Sequence, residues 1–329
     1  MKKLVENFPN NILESLQIAN QVELNGNFEG IENIVITGLG GSGIGGTIFS
    51  KLFENELKLP VIINKGYFLP EFVSSKTLLV ACSYSGNTEE TMSALNIALK
   101  KRAKVIGITS GGKLKEAAVQ NNFDCIEIPG GLPPRAAFAY PFVQLIGLFA
   151  KLGLIAEQHL KELPEIASFL KAQKQQICEE AEIMAKQLYN TLPIIYAEDT
   201  LEGLAVRLRQ QINENAKMLA WHHVVPELNH NEIVGWRSKN EKYSIIFLQT
   251  GDEYSRNQDR LNYVEEVTKP YCGNIFHVFA MGDSQLQKAF YLIHFGDWLS
   301  VFLAEVKQID PVEVRVIENL KEKLKGIKD

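Results

Sequence analysis

The sequence predicts an α/β protein of two lobes, each a doubly wound parallel sheet flanked by helices, and three observations carry that reading. Short apolar runs alternate with longer segments of helical period. Loops rich in glycine and hydroxyl side chains directly follow two of the runs, where parallel sheets hold their ligands. A second alternation begins after a long, wholly helical stretch.

In chain order, helical spacing of Ile12, Leu16, Ile18 and Ala19 precedes apolar runs at 34–36, 60–63, 78–82, 105–108 and 125–128. Residues 141–188 read as helix throughout, first apolar and then charged. The second alternation comprises a run at 193–197, a helix over about 201–221, a run at 243–248, a helix from about Asp259, a run at 274–280 and two terminal helices. These limits predict a first lobe over 1–155, a helical connector over 156–190 and a second lobe over 191–329, with no repeat visible at the level of motifs.

A chain of 329 residues with 46% hydrophobic content has enough apolar surface for two cores. Its formal net charge of -5 leaves no broad electropositive surface, which argues against nucleic acid as the main partner. Cys82, Cys125, Cys178 and Cys272 are widely spaced with no CxxC pair, so neither a disulfide framework nor a zinc site is expected. With no apolar core after Met1-Lys2-Lys3 and no run approaching 18 apolar residues, neither a signal peptide nor a membrane span is expected, and a reducing cytoplasm is the expected location.

The first loop reads Gly38-Leu39-Gly40-Gly41-Ser42-Gly43-Ile44-Gly45-Gly46, with a helix expected from Thr47. Backbone N–H groups gathered at such a helix start favour phosphate. Gly38-x-Gly40-x-x-Gly43 fits the dinucleotide fingerprint in form, but the second strand ends in Asn64-Lys65 where that fold needs an acid for the ribose. A Walker loop is excluded because no Lys-Ser or Lys-Thr follows.

The run 78–82 leads into Ser83-Tyr84-Ser85-Gly86-Asn87-Thr88-Glu89-Glu90 at the head of another helix. Hydroxyls from Ser83, Ser85 and Thr88, with Ser42 beside them, suit a phosphate dianion that a helix start also attracts. The duller alternative, Thr88 as a helix cap with Glu89 and Glu90 in the first turn, is compatible with it.

The two loops together resemble those of the sugar isomerase (SIS) domain family, which binds phosphosugars. Pro134-Arg135-Ala136-Ala137-Phe138, Asn213-Glu214-Asn215-Ala216-Lys217, Pro226-Glu227-Leu228-Asn229-His230-Asn231 and Ile317-x-x-Leu320-Lys321 extend the likeness, in order along nearly the whole chain, to the bifunctional phosphoglucose/phosphomannose isomerases. The resemblance implies two SIS-like lobes and metal-independent, cofactor-free isomerisation of hexose 6-phosphates through an enediol. It also implies a homodimer with shared active sites. Glu214 would be the base, Arg135 the stabiliser of enediolate charge, and His230 and Lys321 the ring-opening groups. Gly41, Ser42, Ser83, Ser85 and Thr88 would hold the phosphate. Related folds also serve as phosphosugar-binding regulators and as isomerising or aminotransferring enzymes for other phosphosugars, and those remain the rival readings.

The local sequence alone says less about these residues. Glu214 shares a helix face with Arg207, Gln210, Gln211 and Lys217, opposite Leu204, Leu208, Ile212 and Leu219, a pattern that reads as a solvated surface. His222-His223 would point different ways on a helix, and no metal-ligand spacing accompanies them or His230. Lys321 follows Val314 and Ile317 on one face and is expected at a buried edge, with Lys307 as the other candidate lysine.

Overall fold

Unbroken runs of Val, Ile, Leu and Ala belong to strands covered on both faces, and here they build two separate parallel sheets. The computed structural model describes residues 1–325. Sheet A contains β1 (Asn33–Thr37), β2 (Val61–Asn64), β3 (Thr77–Cys82), β4 (Lys104–Thr109) and β5 (Asp124–Glu127) in the order β2-β1-β3-β4-β5. Sheet B contains β6 (Leu192–Glu198), β7 (Trp221–Val225), β8 (Asn240–Gln249) and β9 (Cys272–Phe279) in the order β7-β6-β8-β9. All pairings are parallel. The second sheet therefore repeats the order of the first four strands, a repeat carried by topology and hidden in the sequence.

The N-terminal segment forms α1 (Lys2–Glu6) and α2 (Phe8–Gln21). The sheet A crossovers are α3 (Gly40–Leu52), α4 (Glu89–Lys100) and α5 (Gly112–Asn121), followed by α6 (Ala139–Lys151) and the 31-residue α7 (Gln158–Leu188). Sheet B is served by α8 (Glu202–Ala216), α9 (Ser255–Thr268) and α10 (Gln285–Val306), and the described chain ends in α11 (Arg315–Lys325). One continuous core joins α2, α3, α6, α7, α8 and α10 between the sheets, and smaller clusters cover each sheet's other face. Helix α10 is long and apolar enough to cross a membrane, but 289–304 are buried without a break in this core.

Two elements differ from the sequence expectation. The helix expected to reach 221 stops at Ala216, where Lys217 turns left-handed at φ 49°, and Trp221–Val225 pairs with β6 instead. Aromatic and β-branched residues favour that outcome. His222 and His223 accordingly point to opposite faces of a strand.

The other difference is α3, which begins at Gly40 and so contains most of the glycines expected to form a loop. Glycine weakens a helix by about 1 kcal/mol relative to alanine, so packing has to justify it. A Cβ on Gly43 would lie 2.2 Å from the Gly38 carbonyl oxygen, and one on Gly46 would lie 2.9 Å from Ile36 Cγ2. The glycines let α3 lie directly against β1. Gly45, by contrast, has only ordinary neighbours at 3.8 Å and beyond. Gly45→Ala should therefore raise stability by about 0.5–1 kcal/mol, whereas Gly43→Ala should lower it by about 1–3 kcal/mol, both read from urea unfolding. Equal effects would show that close approach does not explain these glycines.

Candidate active site

Strands β1 and β3 are neighbours whose crossover helices go to opposite sides, α3 into the central core and α4 into the outer cluster. Doubly wound sheets bind ligands at such a switch point. The Gly38 and Ser83 loops meet there: Ser42 Oγ accepts the Tyr84 N–H at 2.9 Å, and Ser83 Oγ lies 2.9 Å from Thr88 Oγ1. Thr88 stands at the N-cap of α4 without a side-chain cap bond, and Leu39 gives α3 none. Two helix starts and the hydroxyls of Ser42, Ser83 and Thr88 thus lie together at this end of the sheet, with Ser85 exposed beside them.

The loop after β4 supports this cradle from behind. Asn87 Oδ1 accepts the Lys113 N–H at 3.2 Å, while Asn87 Nδ2 donates to the Ser85 carbonyl at 2.9 Å. Gly86 is held at φ +68°, and a Cβ there would lie 1.7 Å from the Gly111 carbonyl oxygen. Sequence reasoning passed over Asn87 and the Gly111-Gly112 pair, although that pair follows β4 at the same edge of the sheet.

The cradle is tied to the loop carrying Arg135. Tyr84 OH accepts the Leu132 N–H at 3.1 Å, and a Cβ on Gly41 would lie 2.9 Å from the Pro134 carbonyl oxygen. Arg135 is 4% exposed. Its Nε donates to Asn215 Oδ1 at 2.7 Å, Nη1 to Glu214 Oε2 at 3.3 Å, and Nη2 to the carbonyls of Pro311 and Val312 at 2.5 and 3.2 Å. Burial pushes its pKa down and the neighbouring Glu214 and Asp310 oppose that, so the group remains a cation. Lys217 Nζ donates to the Glu214 and Asp310 carbonyls at 2.7 and 3.0 Å, and Lys307 Nζ to the Lys217 carbonyl at 3.3 Å.

Much of the polar face of α8 is interior, which corrects the expectation of a solvated surface for Arg207 and Gln211, whereas Gln210 and Glu214 are half-buried and Lys217 is exposed. Arg207, Gln211 and Asn215 are buried against α10. Arg207 Nη2 donates to both oxygens of Asp297 at 2.8 Å, Gln211 Nε2 donates to Asp297 Oδ1 at 2.5 Å, and Arg207 Nη2 also reaches the Arg135 carbonyl at 3.3 Å. Asn215 Nδ2 donates to Ser300 Oγ at 2.9 Å. Asp297 was detectable in the sequence: a lone carboxylate in a long apolar helix needs a buried cation. Leu219, expected on the buried stripe, is 82% exposed because the helix has already ended.

Gly41, Ser42, Ser83, Ser85, Thr88, Arg135 and Glu214 therefore come together, while two candidates do not join them. His230 lies in the 226–236 segment on the outer face of sheet B, whereas α8 with Glu214 packs on the inner face. Lys321 is on the exposed α11 and makes no hydrogen bond or ion pair among the described residues. The buried edge expected for it is not formed, since Ile317 is 42% exposed, although the segment leading into α11 is the one held by Arg135. Among the described residues no three His, Cys, Asp or Glu side chains gather as a metal-ligand set.

The chain is 42% identical, over the full length of both, to the bifunctional phosphoglucose/phosphomannose isomerase of Caldicellulosiruptor bescii. It is 39% identical to that of Thermoplasma volcanium, covering 94% of this chain and 98% of the relative. The chain belongs to the bifunctional phosphoglucose/phosphomannose isomerase family. A family model described as the bacterial phospho-glucose isomerase C-terminal SIS domain matches residues 177–324. The fold also aligns, with a TM-score of 0.79, 16% identity and coverage of 95% of this chain and 98% of the other, to the C-terminal domain of glucosamine-fructose-6-phosphate aminotransferase from Francisella tularensis. These isomerases are intramolecular oxidoreductases, and this member is an α/β protein with parallel sheets flanked by helices.

The buried polar face of α8 can be tested directly. Asn215→Leu leaves the Arg135 Nε–H without its acceptor and should cost about 1–3 kcal/mol in urea unfolding, whereas Leu219→Ser should change stability by less than about 0.5 kcal/mol. The reverse order would overturn the assignment of the two faces.

Proposed function

We propose that this chain interconverts glucose 6-phosphate and mannose 6-phosphate with fructose 6-phosphate, using Glu214 as the base and Arg135 as the charge stabiliser. The observation that carries this reading is the pairing of Glu214 and Arg135 at 3.3 Å beside a cradle of hydroxyls and helix starts. The phosphate is held by Ser42, Ser83, Ser85 and Thr88 with the backbone at Gly41, which fixes the sugar carbons relative to the carboxylate. Ser42 and Ser85 spend an oxygen lone pair on the Tyr84 and Asn87 N–H groups and keep their hydroxyl protons for the ligand.

Chemistry then needs one proton moved between two carbons. The Glu214 carboxylate removes the C2 proton of the open-chain aldose, the C–H electron pair forms the C1–C2 double bond, and the C1 carbonyl oxygen takes up the negative charge as an enediolate. The proton on the C2 hydroxyl passes to that oxygen, and Glu214 returns its proton to C1 as the C2 oxyanion becomes the ketone carbonyl. The guanidinium of Arg135, already desolvated, stabilises the charge that develops on oxygen. C2 loses its configuration in the planar enediol, and rotation about the C2–C3 bond turns either face of C2 toward the Glu214 carboxylate, which accounts for activity on both epimeric aldoses. Ring opening is assigned to His230 and Lys321 by resemblance to the family. The four free cysteines suit the cytoplasmic setting that is part of this reading.

The test is a coupled assay of the purified protein on both aldose phosphates after EDTA treatment. Turnover of both without added metal or cofactor is expected. Activity lost with the chelator and restored by zinc would overturn the metal-independent mechanism, and no turnover of either sugar would overturn the assignment.

The proposal includes a homodimer in which His230 serves the site of the second copy. The position of His230 supports it, because sheet B, with a packed layer on the order of 10 Å thick on each face, stands between this residue and Glu214 of the same chain. Mixing Glu214→Gln chains with His230→Ala chains should then restore activity. Random re-pairing in a two-fold dimer puts both lesions in one site of each mixed dimer, leaving about a quarter of all sites intact. Mixtures as inactive as the parents, with subunit exchange verified by mass spectrometry, would rule out shared sites.

A further inference from the structure

The outer face of sheet B holds a polar cluster to which the chemistry above gives no role. Two short turns, Glu227–His230 and Glu232–Gly235, lie across β6 and β7, anchored by Leu228 and Trp236, both buried with Ile194, Tyr196 and Val225. Under them the Glu232 carboxylate collects three donors. Its Oε1 accepts from Tyr196 OH at 2.5 Å and Trp221 Nε1 at 3.3 Å, and Oε2 lies 2.9 Å from His223 Nδ1. Trp236 Nε1 in turn donates to Tyr196 OH at 3.1 Å.

The neighbours of His230 are bound as well. Asn231 Nδ2 donates to Glu227 Oε1 at 2.6 Å, Asn231 Oδ1 accepts the Glu232 N–H at 2.6 Å, and Arg260 Nη1 donates to Asn229 Oδ1 at 3.3 Å. His230 is exposed and, among the described residues, its side chain makes no hydrogen bond or ion pair. A segment with every polar neighbour tied and one imidazole left free is a rigid mount for that imidazole. Partial burial of a carboxylate is costly unless its geometry is satisfied, and an apolar side chain would fill the space at lower cost.

We infer that Glu232 is a positioning residue for His230: its carboxylate, held by Tyr196, Trp221 and His223, fixes the segment that presents the ring-opening histidine. The inference rests on the proposed role of His230. Glu232 touches no reacting atom, and His223 serves as a donor that orients the carboxylate.

The test compares Glu232→Gln, His223→Asn and His230→Ala on two substrates. One is glucose 6-phosphate, which must be opened before it reacts. The other is erythrose 4-phosphate, which has no hydroxyl left to close a five- or six-membered ring; its C2 proton exchange with solvent is followed by NMR in deuterium oxide. Glu232→Gln should lower kcat on glucose 6-phosphate by about 10- to 100-fold with KM within about threefold, and leave exchange on the acyclic substrate within about threefold. His223→Asn, whose amide N–H can replace the Nδ1 donor, should stay within about threefold of the parent on both substrates. Equal losses on both substrates for Glu232→Gln would show a merely structural role, and no loss on either would also overturn the inference. If His223→Asn falls as far as His230→Ala, His223 is the acting imidazole and the assignment is wrong. If His230→Ala keeps full activity on glucose 6-phosphate, the role of His230 fails, and that failure is distinguishable because it does not involve Glu232.

Discussion

A guanidinium removed from water has to find acceptors for its donors, and in this chain those of Arg135 lie almost wholly in the other lobe. The residue belongs to the loop after sheet A, yet its side chain ends on Glu214 and Asn215 of α8 and on the carbonyls of Pro311 and Val312. An unpaired buried cation would cost several kcal/mol, so the lobes are locked in the arrangement that satisfies it. That same arrangement sets a carboxylate beside the hydroxyl cradle. The contacts that satisfy the cation are also those that the proposed chemistry uses.

Close packing lets the cation reach so far. Gly41 brings the first turn of α3 against Pro134 and Arg135, and a Cβ on Gly203 of α8 would lie 2.8 Å from the Ile48 Cα of α3. The helix that begins at the hydroxyl cradle and the helix that carries Glu214 therefore run in contact. Behind them, Arg207 and Asp297 form a buried pair that also holds the Arg135 carbonyl, with the Arg207 guanidinium 4.1 Å from the Phe138 ring. The cradle, Arg135 and Glu214 are thus parts of one packed unit built across two sheets.

Much of this was legible in the sequence, for physical reasons that differ between elements. The central strands of sheet A, β1, β3 and β4, hold continuous apolar runs because both their faces are covered, the edge strands β2 and β5 are only half-buried, and the hydroxyl loops announce themselves by composition. Strand β7 was not legible, because Trp221, His222 and His223 sit on a half-buried edge strand and carry no apolar run. The environment of Glu214 was misread because both the apolar residues Leu204, Leu208 and Ile212 and the polar residues Arg207, Gln211 and Asn215 of α8 are buried, the latter in hydrogen bonds to Asp297 and Ser300, while Glu214 beside them is only half-buried. Periodicity shows that two faces differ, but not that both are inside. The place of His230 depends on which side of sheet B the 226–236 segment crosses, a tertiary fact with no local signal.

The account stands on one geometric claim, that a phosphosugar spans from the hydroxyl cradle to the Arg135–Glu214 pair. A crystal structure with arabinonate 5-phosphate, whose carboxylate stands in for the enediolate, tests it most directly. The account predicts phosphate oxygens within about 2.6–3.2 Å of the hydroxyls of Ser42, Ser83, Ser85 and Thr88, and the inhibitor carboxylate against the guanidinium of Arg135. A phosphate seated elsewhere, or an inhibitor that leaves Arg135 and Glu214 untouched, would contradict it.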